Sequence, residues 1–217
     1  MENGNGFVLN KDSIFEESVS ILEDYIYSNR ACYFIDLTSL EEEILLFYSK
    51  NTSLNLDSID FTQSYIFDAD IFVFLSKLLQ VAYHYADGLI VDIDDETSVN
   101  NHKTLIEITK SDAKLIDRSA LNDLKRFEYV LLGKKILWIT SNEDKLNLNN
   151  VSTINVDLEN ILSSKNWEEE FDAIKMKVMI QEFDVAFVNV GILSTPLCYF
   201  ISQNLHKIAI VKGGKNV

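Results

Sequence analysis

Apolar and polar positions along the chain follow two periods, and the switches between them divide it into helices and short buried strands. From Ser13, with Glu16 three positions on as a capping-box partner, Ile14, Phe15, Val19, Leu22, Tyr25 and Ile26 recur at helical spacing and predict a helix of about four turns. Residues 31–37 are short, apolar and β-prone, which predicts a buried strand. A helix follows from Thr38 and Ser39, with Glu41, Glu42 and Glu43 in its first turns, where the helix dipole favours acids. Residues 51–64 form a long polar connection of the kind used for surface flaps or binding loops. Asp68 caps a strongly apolar helix over 69–85, and Gly88 leads into a buried strand over 89–93 and then a loop over 94–98. Helical patterning returns over 112–132 and stops at Gly133. Strands are predicted over 136–139 and 152–156, then an amphipathic helix over 166–183. The chain closes with a strand over 185–190, a helix from Ser194 to Leu205 and a strand over 208–211, and residues 1–11 read as a loose leader.

Six strands, most of them separated by helices and apolar through the middle, predict a single α/β domain spanning 1–217. Its architecture is a Rossmann-like three-layer sandwich with a mostly parallel sheet of about five or six strands. Ligands in such folds sit beyond the carboxyl ends of the strands, which selects the loops at 36–43, 92–98, 140–144, 189–195 and 212–214.

Composition narrows the partners. The 217 residues carry 34 acidic against 19 basic side chains, a net charge of −15, which argues against a nucleic-acid binder. Cys32 and Cys198 lie within apolar patterns and read as buried thiols. The polar, acidic start and the absence of a long apolar run predict a cytoplasmic protein with no membrane span.

Cofactor signatures are absent from the selected loops. No G-x-G-x-x-G and no P-loop motif occurs, so NAD, flavin and P-loop nucleotide chemistry are not expected. His84, His102 and His206 fall at no zinc-ligand spacing. His84 and His206 read as structural or capping residues, and His102 as part of a polar loop. The carboxylates are more suggestive. Asp92, Asp94 and Asp95 close a buried strand, where they read either as ligands for Mg²⁺ or Mn²⁺ against a diphosphate or as a solvated stop to the strand. Residues 183–214 hold the only proline and three of the seven glycines. Gly191 followed by Ser194, Thr195 and Pro196 at a helix start aims free N–H groups at one spot, suited to an anion or to nothing more than a capped helix.

Two stretches, VLLGKKILWITSNEDKL (130–146) and FDVAFVNVGILSTPLCYFISQNLHKIAIVKGG (183–214), resemble the C-terminal half of the GT-D glycosyltransferases. These are bacterial Rossmann-like enzymes that move a sugar from a nucleotide-sugar, some of them onto serine-rich adhesins. The matching features are the strand before Gly191, Thr195-Pro196-Leu197, the helix to Leu205, His206-Lys207, and Gly213-Gly214. That family carries an Arg-Phe-Gly-Asp-Gly-Glu run after its first strand, whose Asp-x-Glu pair is associated with metal and donor. Residues 36–41 stand there in this chain. Glu41 matches the glutamate, Ser39 occupies the aspartate position, Asp36 the arginine position, and both glycines are missing. A shift of two residues makes Glu41 and Glu43 the acidic pair.

The resemblance implies sugar transfer to a glycan or glycoprotein acceptor. Glu41 and Asp94 are the implied catalytic residues. Ser39, Thr140, Ser141, Gly191, Ser194, Thr195, Gly213 and Gly214 are implied at the donor, and Glu41, Asp92, Asp94 and Asp95 at Mg²⁺ or Mn²⁺. The alternative is a non-catalytic GT-D-like binding or scaffold protein, lacking the acidic motif and working beside a partner glycosyltransferase.

Overall fold

A computed structural model describes residues 11–38, 41–42, 44–45, 69–122, 127–143, 145–164 and 166–212. Helix α1 (Lys11–Ser28) leads into β1 (Cys32–Ile35), and α2 (Ala69–His84) into β2 (Gly88–Val91). Helix α3 (Glu96–Thr109), β3 (Lys114–Asp117), α4 (Arg118–Asn122) and α5 (Glu128–Leu131) follow. Strands β4 (Ile136–Thr140) and β5 (Val151–Asn155) precede helices α6 (Leu158–Ser163) and α7 (Trp167–Met179). Strand β6 (Val185–Asn189), helix α8 (Ser194–Leu205) and β7 (Ile208–Val211) complete the order.

Among the described residues, seven strands form one sheet in the order β3-β2-β1-β7-β6-β4-β5, and every pairing is parallel. The α/β class and the parallel sheet are as expected, with one strand more. That strand is β3, which the hydrophobic pattern merges into a helix over 112–132. It is a short sheet edge whose residues pass from exposed to buried, so neither period is expressed over its length. Helix α3 likewise replaces what reads as loop, capped by Asp95, whose side chain accepts from the Thr97 and Ser98 N–H groups.

The pleat sorts alternate residues into two cores. Cys32 and Phe34 of β1 join Phe187, Ile208 and Ile210 beneath α1, α4 and α5. Tyr33 and Ile35 join Ala186, Val188 and Ala209 beneath α2, α6, α7 and α8. Connections that step towards the β3 edge run over this second face, and the β3-to-β4 connection steps back over the first. A uniform crossover hand requires that division. The connections leaving β4 and β6 therefore run to opposite faces, which makes the carboxyl ends of these two strands the switch point at which open α/β sheets bind ligands.

Gly88 is required by close packing between strands. A Cβ there would stand 2.5 Å from Phe34 Cδ1 and 2.9 Å from Ile116 Cγ1. Gly88→Ala is expected to cost about 1–3 kcal/mol through overpacking, and a Phe34→Leu background is expected to recover part of it. Urea denaturation of the two single variants and the double variant measures this coupling, and strictly additive losses would contradict it.

Candidate functional site at the carboxyl edge

The first residues off the strands at this edge are polar. Asp36 follows β1, Asp92 follows β2, Arg118 follows β3 and Lys212 follows β7, while Thr140 and Asn189 end β4 and β6. Arg118 binds Asp36 through two nitrogens, Nε to Oδ2 at 3.2 Å and Nη2 to Oδ1 at 2.6 Å, and its Nη1 stands 4.0 Å from Asp92 Oδ2. Partial burial works against the cation. The hydrogen bonds and charge of Asp36, with Asp92 and Glu42, more than offset it and hold the Arg118 pKa above its ordinary value.

Glu41 lies one layer deeper, 1% exposed. Thr38 and Glu41 form a reciprocal capping box: Thr38 N–H donates to Glu41 Oε2 at 2.7 Å, and Glu41 N–H to Thr38 Oγ1 at 3.3 Å. The other carboxyl oxygen accepts from Thr195 Oγ1 at 3.1 Å, tying this turn to the start of α8. Burial pushes the Glu41 carboxyl from 4.5 up to about 7; the Thr38 and Thr195 hydrogen bonds pull it down, and the charge of Asp36 adds to the rise. Glu42 points elsewhere, accepting from Ser98 Oγ at 3.4 Å and Asn101 Nδ2 at 3.1 Å of α3.

His102 is buried within α3 rather than placed in a polar loop. Its Nδ1 lies 2.9 Å from the Ser98 carbonyl and 3.5 Å from Glu42 Oε1, while Nε2 has no hydrogen-bond partner. Burial lowers its pKa, opposed in part by Glu42, and favours the neutral ring.

The donor-side residues separate into two groups. Thr140, paired with Asn189, accepts at Oγ1 from the Asn142 N–H at 3.0 Å, and Ser141 N–H donates to the Asn189 carbonyl at 3.0 Å, so both lie at the carboxyl ends of β4 and β6. Gly191 is exposed beside them, opening a 3-10 turn (Gly191–Leu193) at φ +55°, a conformation that disfavours a side chain. Ser194 and Thr195 are buried. Leu193 is the N-cap of α8, without a side-chain cap bond, and the Ser194 hydroxyl accepts from the Val190 N–H at 2.8 Å. Ser39, Glu43, Gly213 and Gly214 lie outside the described residues.

The acidic residues expected at a metal are dispersed. Asp92 Oδ1 accepts from the Asp94 N–H at 3.1 Å, and Asp95 is committed to capping α3. Among the described residues no group of three or more His, Cys, Asp or Glu side chains is arranged to hold a metal ion. At the end of β1 the fit is poorest: the Glu41 oxygens accept from Thr38 and Thr195, and Asp36 grips a guanidinium.

Over residues 98–214 the chain matches the family model of the GT-D fold-like domain. It belongs to the GT-D-like family. No curated protein and no solved structure matches the chain. The GT-D-like match extends upstream of the two resembling stretches to include most of α3, β3 and α4, and thus His102 and Arg118. Among its described residues no helix is long and apolar enough to cross a membrane.

Arg118 and His102 escape a reading of the sequence alone. The signal for Arg118 is its place directly after a strand, hidden once β3 is read as helix. For His102 it is the i, i+3, i+6 spacing of Val99, His102 and Leu105, which form the buried face of α3.

The raised Glu41 pKa fixes a sign. Its contribution to stability is fully present below pH 4.5 and is lost as pH rises through about 7. Wild type is expected to lose on the order of 3 kcal/mol over that window on this account, an upper bound for a shift of this size. Glu41→Gln should flatten the profile by that share. Urea denaturation between pH 4.5 and 8 checks it, and parallel profiles would show that the carboxyl titrates normally.

Proposed function

We propose that the carboxyl edge binds a nucleotide-sugar and transfers its sugar to a hydroxyl of a glycan or glycoprotein acceptor. The observation that carries this reading is the placing of half-buried Ser141 and exposed Gly191, over buried Thr140, at the switch point between β4 and β6 in a GT-D-like domain. Thr140, Ser141 and Gly191 are the donor-side contacts. Ser194 and Thr195 support them from beneath, and Ser39, Gly213 and Gly214 complete the assignment at the donor.

Of the two carboxylates assigned to catalysis, Glu41 is enclosed and Asp94 is exposed on the turn after β2, so an acceptor hydroxyl can approach Asp94. In the transfer, the acceptor oxygen attacks the anomeric carbon and its proton passes to the carboxylate. The bond from that carbon to the diphosphate breaks, and the electron pair leaves with the nucleoside diphosphate. Mg²⁺ or Mn²⁺ at Asp92 and Asp94 would be one way to neutralise the diphosphate, and a cation supplied by the chain itself is the other; titration with and without Mn²⁺ separates them.

The enclosure of Glu41 favours a second reading, a GT-D-like binding or scaffold protein that serves a partner glycosyltransferase. Calorimetric titration with UDP-sugars, with and without Mn²⁺, combined with release of nucleoside diphosphate in the presence of glycan acceptors, separates the two. Transfer is expected, falling by about a hundredfold or more in Asp94→Ala. Binding without turnover would select the scaffold reading, and no binding at millimolar nucleotide-sugar would sink both the donor site and the enzyme.

A further inference from the structure

The positive charge at this edge is built into the chain. By the alternation of the pleat, Asp92, Asp36, Lys212, Asn189 and Thr140 project to the same side at the ends of β2, β1, β7, β6 and β4. Arg118, on the neighbouring edge strand's exit, reaches back over this row. Asp36 takes its Nε and Nη2 edge in a fork, which fixes the plane of the guanidinium and leaves Nη1 directed towards Asp92 at 4.0 Å, too far for a hydrogen bond. The side chain as a whole is 22% exposed, so Arg118 is not sealed in the core as Glu41 is. A planar guanidinium held in this way suits two oxygens of a phosphate or diphosphate.

A divalent ion has no equivalent place at the end of β1, where Arg118 occupies Asp36 and both Glu41 oxygens accept internal hydrogen bonds. Placing a second cation against the fixed guanidinium would also be repulsive. We propose that Arg118, oriented by Asp36, is the anchor for the donor's diphosphate and neutralises its charge without a divalent ion. This rests on the nucleotide-sugar reading above and names the group that holds the ligand's charge. Asp92 competes with the anion for Nη1.

The test is calorimetric titration of the full chain with UDP-glucose, UDP-N-acetylglucosamine and inorganic pyrophosphate, in EDTA and then in Mn²⁺. Wild type is expected to bind in EDTA. Arg118→Gln should weaken binding by about tenfold or more, as expected for loss of a charged hydrogen-bonding partner, and Arg118→Lys by less. Asp92→Asn should tighten it, an effect that a purely structural ion pair would not produce. Because Arg118→Gln leaves Asp36 buried without its cation, the Asp36→Asn/Arg118→Gln double variant serves as the folded control, verified by thermal melting, and it too should bind weakly. Unchanged affinity in both Arg118→Gln variants would overturn the proposal. So would binding by wild type only when Mn²⁺ is present, which would leave the donor reading intact. Pyrophosphate binding lost in Arg118→Gln, without binding of either nucleotide-sugar, would keep the anion site and remove the donor reading. No binding of any probe would remove both.

Discussion

A parallel sheet buried on both faces has only its two rims on which to place polar side chains, and that constraint organises this molecule. Between the rims each strand is apolar, and the pleat assigns alternate residues to opposite cores. At the amino rim, polar groups join strands and helices to one another. Asp87 accepts from the Tyr33 N–H and the Tyr25 hydroxyl, and Asp184 from the Lys135 N–H. At the carboxyl rim the same kind of group includes an arginine with one edge committed and another directed outwards. The difference follows from strand direction, because all seven chains leave the sheet on the same side.

Most of the sheet is legible in the sequence for the same reason. Strands β1, β2, β4, β6 and β7 are short apolar runs because both of their faces are covered, and each is predicted near its observed position. Strand β3 is not legible, since an edge strand with Lys114 exposed and a helix starting directly after its last residue expresses no clean period. The error propagates to the site. Read inside a helix, Arg118 is one more surface cation; placed after a strand, it meets Asp36 across 82 positions of chain.

Glu41 shows the opposite balance. Its spacing from Thr38 carries a local capping-box signal, and the structure forms that box. Its contact with Thr195 is invisible to any local pattern, because it spans 154 positions and depends on β1 and β7 being neighbours. The helix starts at Ser194, as the sequence indicates, but what lies before it is not legible: Gly191 opens a tighter turn that leads into the helix, and the Ser194 hydroxyl accepts from the Val190 N–H.

The family match begins at residue 98, yet the sheet it describes is not continuous without the residues before it. Strand β3 lies within the match, as do β4 to β7, but β3 reaches β7 only through β2 and β1. Removing those two strands would expose the inner edge of β7 and leave β3 without a hydrogen-bonded neighbour. It would also remove Asp36, Glu41 and Asp92, the partners of Arg118 and Thr195 at the carboxyl edge. The matched segment thus supplies the carboxyl ends of β4 and β6 and the cation, and the preceding residues supply the carboxylates that orient it. Neither part builds this edge alone, which makes the pairing of β1 with β7 the joint on which the candidate site depends.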